Sequence, residues 1–361
     1  MAEYKIEVYS KNGKCLGDIR HLAQGLKWTE QRNATETVSF RMDLAKYEEY
    51  VKKTGMRPYD FLDVGTTDIR IVRNGKDRVG AHLIKATFSP NDPSVDIELS
   101  FTGYLNYFKD AYVDADYDKT RQGDIAWGVI SQYQGKQDGD FGIRRGKFTS
   151  LGKNPRQRHQ KRANVKDFLV RLSNVINGPD FQFTPDKKFN TFDAMGSYRP
   201  DIRLVYPGNV AGFGFERSVD SLANYIIGIG SGNGDDAPST YATDPYSRKA
   251  LYRREKIVTF NSVIREETLQ ENTNGILEML KDVRELPSFT LADGVLDLND
   301  IGVGDTIYAE MSGYIMFEHI RGFYRIEKIE VNVDENDAEE VTLTFDNLNV
   351  DDVIAQQEEN E

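Results

Sequence analysis

Cysteine is almost missing from this sequence. Cys15 stands alone, so no disulfide can form within the chain, as suits folding in a reducing compartment. Long apolar runs are missing too. Nothing approaches the roughly 18–20 residues of a membrane-spanning helix, so no membrane anchor is expected. The opening MAEYKIEVYSKNGK has neither the apolar core of about 7–15 residues nor the small-residue cleavage site of a secretory signal. Histidine is scarce: the four are His21, His82, His159 and His319, and no two are spaced as metal ligands. HExxH, CxxC and the GxSxG elbow are absent, and Cys15 has no indicated partner for nucleophilic work.

Three patterns imitate binding motifs and fail at particular residues. Gly228, Gly230, Gly232 and Gly234 alternate, but Asn233 and Asp235 occupy the positions where a GxGxxG frame needs glycine, and Asp235 and Asp236 would repel a phosphate. Gly146-Lys147 is followed by Phe148 rather than Ser or Thr, so it is no Walker loop. Asp114, Asp116 and Asp118 have the spacing of a calcium loop, yet Lys119 sits at the turn glycine and Ile125 at the bidentate glutamate. An EF-hand is excluded there and a looser cation site stays open. His82 and His319 fall in or beside expected strands, as packed or edge residues rather than bases; His21 and His159 fall in expected loops. The sequence thus predicts no catalytic residue, no cofactor and no metal. Paired carboxylates for glycoside hydrolysis stay open, because acidic residues are abundant and their separation is set by the fold.

What is abundant is negative charge and aromatic surface. The formal charge is −12, which argues against a dedicated nucleic-acid binder and against anionic membranes. Against that background one stretch is basic throughout: Arg144, Arg145, Lys147, Lys153, Arg156, Arg158, Lys161 and Arg162, with no acidic residue between them. It reads as a loop that contacts DNA, contacts an acidic partner, or is simply solvated. Phe and Tyr number 19 each, a composition that suits pleated surfaces.

The periodicity predicts a β-rich α+β chain. Lys5 to Tyr9 and Cys15 to Arg20 form a hairpin signal. Val38, Phe40 and Met42 alternate with polar residues, and the preceding Asn33-Ala34-Thr35 matches a glycosylation acceptor without any secretory context, so Asn33 is read as a turn residue. Leu44 to Gly55 reads as a helix with Asp43 as N-cap and Gly55 as C-cap. Strands follow at Thr67 to Val72, His82 to Phe88 and Val95 to Phe101. Helical spacing returns at Ile125 to Tyr133, Val165 to Ile176 and Thr268 to Val283. Residues 181–192, 213–229 and 256–260 are β-like, and residues 228–240 form a Gly- and Asp-rich loop. The expected domains are 1–106, a first small β-barrel; 107–205, a mixed insert; 206–350, a second barrel; and 351–361, an acidic tail.

The two β blocks resemble each other. Leu62-Asp63-Val64-Gly65, DIRIV, HLIKATF and VDIELSF run in the same order as Ile301-Gly302-Val303-Gly304, DTIYA, YRIEKIEV and VTLTF. Ile84 matches Ile326 and Phe101 matches Phe345, about 240 residues apart. The sequence therefore predicts two similar small β-barrel domains with a helical or mixed insert between them.

GTTDIRIVRNG (65–75), LSFTGYLNYF (99–108), DIAWGVISQYQ (124–134), FQFTPDKKFN (181–190), YPGNVAGFGFERSVDSLANYIIGIGSG (206–232), and IGVGDTIY (301–308) with YRIEKIEV (324–331) together resemble the tail hub proteins of tailed bacteriophages, also called baseplate hub or tail-tip proteins, including the N-terminal part of tail-associated lysins. The likeness spans nearly the whole chain, through soft motifs. It implies a homotrimeric ring of paired barrels, most naturally in a long-tailed, non-contractile virus. Such a ring adapts the sixfold tail tube and distal tail ring to threefold tip parts and lines or closes the DNA channel. The implied partners are further copies of the chain, the distal tail protein ring, the tape-measure protein and tip, fibre or receptor-binding proteins, with genomic DNA in passage. The implied location is the virion, after synthesis in the host cytoplasm. With the sequence stopping at residue 361, a wall-digesting domain would belong to another protein. The competing readings are a carbohydrate-active enzyme of cell walls and a receptor-binding module without catalysis.

Overall fold

The first alternating segment becomes β1 (Tyr4–Tyr9), which turns back through Gly13 into β2 (Cys15–Asp18). The structure is a computed structural model and describes residues 2–345 except 92–93, 149–155, 174–177, 233–236, 261–262 and 293. Next come β3 (Gln24–Gln31) and β4 (Thr37–Asp43), with Val38, Phe40 and Met42 all turned into the core. α1 (Leu44–Thr54) opens at Asp43, whose carboxylate accepts from the Lys46 amide at 2.8 Å, and closes at Gly55 with φ +76°. Both caps follow from the sequence: a carboxylate satisfies an orphan N–H, and glycine enters the left-handed region without strain. After the short α2 (Pro58–Phe61), β5 (Asp68–Arg73), β6 (Lys76–Asn91) and β7 (Ser94–Gly103) form an antiparallel meander.

The middle of the chain builds its own core. β8 (Tyr112–Thr120), α3 (Gln122–Gln134), β9 (Arg144–Phe148), β10 (Arg156–Asn164), α4 (Val165–Ser173), β11 (Asp180–Phe183) and β12 (Lys188–Phe192) follow in order. Phe108, Ile125, Val129, Leu169, Phe183 and Phe189 pack together there. The basic stretch expected as a loop carries two strands: β10 pairs antiparallel with β8, and β9 pairs parallel with β12. Apolar alternation is the signal by which strands are read, and RQRHQKRAN has almost none. Its backbone is held by the ladder while Gln160, Lys161 and Arg162 are exposed. Lys153 and residues 174–176 of the expected helix lie outside the described residues.

The third segment runs β13 (Tyr198–Tyr206), β14 (Val210–Ser218), β15 (Tyr225–Ile229), β16 (Ser239–Thr243), α5 (Pro245–Leu251), β17 (Glu255–Thr259), α6 (Glu266–Leu280), β18 (Arg284–Leu291), β19 (Thr306–Met311), β20 (Arg321–Val333) and β21 (Glu339–Phe345). β16, β15 and β17 form a small sheet of their own, covered by α6 through Ile226, Ala242 and Leu277.

A single 13-stranded sheet runs through both ends of the chain in the order β14-β18-β21-β20-β3-β4-β7-β6-β5-β1-β2, with β13 and β19 attached beside β20. No closed barrel forms among the described residues. The internal repeat is visible in its hydrogen bonds. The meander β5–β6–β7 is matched by β19–β20–β21; β4 flanks β7 as β18 flanks β21, and β3 lies beyond β4 as β14 lies beyond β18. The Gly65 amide donates to the Leu83 carbonyl at 2.7 Å, and the Gly304 amide donates to that of Ile326 at 2.7 Å. Leu83 faces Phe101 and Ile326 faces Phe345, and a bulge follows at the same place in both ladders. Phe40 and Phe101 have centroids 5.4 Å apart; their counterparts Phe289 and Phe345 are 5.8 Å apart. Phe101 is thus the counterpart of Phe345, as the sequence match has it. Ile326 corresponds to Leu83 rather than Ile84, because Ile84 is the half-exposed extra residue of the first bulge and its counterpart in the second is Glu327.

The two repeats differ at their glycine turns. Gly65 has φ +86° and faces open space, whereas Gly304 has φ +91° and lies against the Met195 carbonyl. Gly65→Ala is expected to cost about 1 kcal/mol of backbone strain. Gly304→Ala adds a backbone collision and is expected to cost at least about 2 kcal/mol. Urea denaturation of the two variants side by side measures the difference.

Candidate functional site

Where the sequence raised catalytic or metal chemistry, the side chains are engaged in packing and pairing. His82 is buried and stacks on Tyr107 with centroids 4.2 Å apart. His319 pairs with Glu285 at 3.1 Å, His21 lies edge-on to Tyr50, and His159 pairs with Asp116. Asp114, Asp116 and Asp118 owe their spacing to the alternation of β8, with all three on its exposed side. Asp114 accepts from the Arg162 amide at 2.8 Å. Gly228 lies in β15 under the Thr273 side chain of α6, where a Cβ has no room, so close helix packing accounts for this glycine. No group of three or more His, Cys, Asp or Glu side chains suited to a metal occurs among the described residues.

Burial, and secondarily Lys187, pushes His82 down to about 4. Its folded value lies below its unfolded one, so protonation favours unfolding. Stability is expected to fall by about 3 kcal/mol as the pH drops from about 6.5 to 4. His82→Phe, which keeps a ring against Tyr107, should flatten that part of a stability–pH curve measured by urea denaturation.

The basic residues do not converge on one surface loop. Arg144, Arg145 and Lys147 lie on β9, whereas Arg158, Lys161 and Arg162 lie on β10 beside the aspartates of β8. Arg156 belongs to the backbone of β10, and Lys153 is outside the described residues. Arg145 pairs with Asp124 at 2.5 Å and lies 3.8 Å above the Phe148 ring. Part of the positive charge is therefore answered within the middle segment itself.

The densest polar construction is at the joint of the three segments. Asp180, at the start of β11, is buried and pairs with Arg325 of β20 and, at 2.9 Å, with Arg32 just after β3. Its carboxylate also accepts from the Met195 amide at 2.7 Å and from Asn33 Nδ2 at 2.6 Å. Burial would raise its pKa, but Arg325 and Arg32 outweigh that and hold it below the usual carboxylate range. Asn33 Oδ1 in turn accepts from the Phe181 amide at 2.8 Å, and Asn33 has φ +52°. Asn33 is thus the turn residue the sequence suggested, and its buried amide is occupied by the joint, which answers the glycosylation match. Sequence reasoning did not find Asp180: a single aspartate before an aromatic strand carries no signal.

Beyond this node, β3 pairs with β20 from Gln31 opposite Lys328 to Leu26 opposite Val333. Ion pairs cross between the β blocks: Arg32 with Glu327 at 2.9 Å, Arg73 with Glu339 at 2.6 Å, and Arg20 with Asp337. Among the strand edges left open in the described residues are the outer side of β14 and the part of β6 beyond His82 that β5 does not reach.

This chain shares its fold with bacteriophage tail proteins. The 43 kDa tail protein of prophage MuSo2 from Shewanella oneidensis matches with a TM-score of 0.65 at 12% identity, covering 95% of this chain and 98% of that one. The tail protein from Neisseria meningitidis MC58 matches at 0.64 and 13%, covering 96% and 97%. Prophage tail protein gp18 of Listeria monocytogenes matches at 0.57 and 11%, covering 98% of each chain. By sequence the chain matches no family model and no curated protein.

Proposed function

We propose that this chain is a structural component of a phage tail tip, a hub whose ring is made of three copies. The carrying observation is the internal repeat: two units of equal strand topology in one chain give three copies six similar seats. Each repeat forms a barrel-like unit, with residues 107–205 as the insert. The ring joins a sixfold tube and distal tail ring to threefold tip and receptor-binding proteins, and its bore passes DNA and meets the tape-measure protein. The basic residues on β9 and, separately, on β10 contact neighbouring tail proteins. The tail-protein fold and the rigid, ion-paired joint support a mechanical role over a catalytic one, and incubation with peptidoglycan is expected to release no product.

Light scattering of the purified protein is expected to give a trimer mass, alone or with its ring partner. A monomer in both conditions would overturn the ring.

A further inference from the structure

We propose that the open edge of β14 in one copy pairs antiparallel with the open half of β6 in the next, with Phe215 opposite Phe88, so that one sheet runs around the ring. The inference rests on the ring reading and adds the surface, the polarity and the register.

The warrant is the pairing already present inside the chain. β20 uses its first half against β19 and its second half, on the same side, against β3. β6 uses its first half against β5, and its second half on that side has no strand among the described residues. β14 is the counterpart of β3, and its outer side is open. Each repeat thus has the same two sockets. One of each is filled within the chain, and one of each is left over. They are complementary, so copies join head to tail, and such a contact closes into a ring when the rotation permits.

The register follows by substitution of counterparts. Lys85 and Lys328 both follow the bulge, so Phe88 stands where Val331 stands. Ser39 and Ser288 both face the matched residues Ser100 and Thr344, so Gly214 stands where Lys27 stands and Phe215 where Trp28 stands. Val331 faces Trp28, and both are fully buried, at 0% exposure. Phe88, at the equivalent place, is 50% exposed. A large apolar side chain is bare at the position its twin buries beneath β3. The neighbour's Phe215 is the residue that would cover it.

The same substitution tells which backbone groups meet. The Arg32 amide donates to the Glu327 carbonyl at 3.1 Å, so residues 327, 329 and 331 turn their backbone toward β3. In β6 these are Ile84, Ala86 and Phe88, and next Pro90, which has no N–H to give and ends the ladder there. Thr87 then stands opposite the neighbour's Glu216 as a non-hydrogen-bonded pair, the kind whose side chains lie closest. Lys85 lies diagonal to that glutamate, an attractive pairing.

The test uses single cysteines in a Cys15→Ser background. Thr87→Cys and Glu216→Cys both lie on the surface away from the core. Neither variant alone should form a disulfide between copies, because the contact joins unlike edges. Mixed and oxidised, they should give a covalent dimer, and the double variant should give a covalent trimer on a non-reducing gel. Thr87→Cys with Arg217→Cys, one residue out of register and on the other face, should give at least ten-fold less. Phe88→Asp should convert the trimer to a folded monomer with unchanged circular dichroism. A trimer by light scattering whose 87–216 cross-link does not form would overturn the pairing and leave the ring standing. A monomer at all concentrations would remove both.

Discussion

Asp180→Ala is expected to lower the stability of the chain by about 3–5 kcal/mol, because it takes the carboxylate away from the buried Arg325 guanidinium. Arg325 and Arg32 lose their shared carboxylate at once, and the Asn33 and Met195 donors lose an acceptor. Creating an unpaired buried charge costs more than the intact cluster contributes, since desolvation has already offset much of its attraction. The acid behaviour supplies a second readout. The Asp180 carboxyl has a folded value below its unfolded one, so its contribution is complete above about pH 4 and is lost as the pH falls through the depressed value. Wild type and Asp180→Ala should therefore converge in strongly acidic solution. A loss below about 1 kcal/mol at neutral pH, or a gap that does not narrow in acid, would show that the joint is not held by this carboxylate.

Trp28→Ala is expected to cost a similar amount, about 3–5 kcal/mol, for an apolar reason. The indole is fully buried where β3 meets β20, opposite Val331, with the Arg78 guanidinium 5.6 Å from its centroid. Arg78 is itself fixed by Glu30 and by the Leu298 carbonyl at 2.7 Å. The void cannot collapse, because ladders pin both strands. The other tryptophan, Trp127, is only partly buried in the middle segment, and Trp127→Ala should cost clearly less. Urea midpoints with unchanged slope would measure both, since the slope reports the surface exposed on unfolding. Equal losses at the two sites would deny the seam its special weight.

Much of this fold was legible because its signals are local. Asp43 and Gly55 bracket α1 in the sequence as they do in the structure, and Val38, Phe40 and Met42 declare their buried face by alternation alone. Phe101 and Phe345 were matched across the chain because the repeat keeps an aromatic at the same rung. Three features were not legible. β9 and β10 have strand backbones beneath charged side chains, and charge carries no period. One match was off by a residue, since the bulge residue is apolar in the first repeat, Ile84, and charged in the second, Glu327, and like was paired with like. The partner of β3, almost the whole chain away, is fixed by tertiary packing that no window of sequence contains. Asp180 belongs with these, as a node visible only once three distant segments meet.

The pairing of β3 with β20 also sets an order of events in the cell. Gln31 must find Lys328, so β3 emerges from the ribosome long before its partner exists. At about 5–20 residues per second, the edge of that strand away from β4 waits on the order of 15–60 seconds without its partner. The loop to be closed is among the longest the chain allows, and such contacts form late. The N-terminal block can therefore fold early but cannot be sealed until synthesis nears its end, which makes premature chain release a route to aggregation rather than to a stable half-molecule.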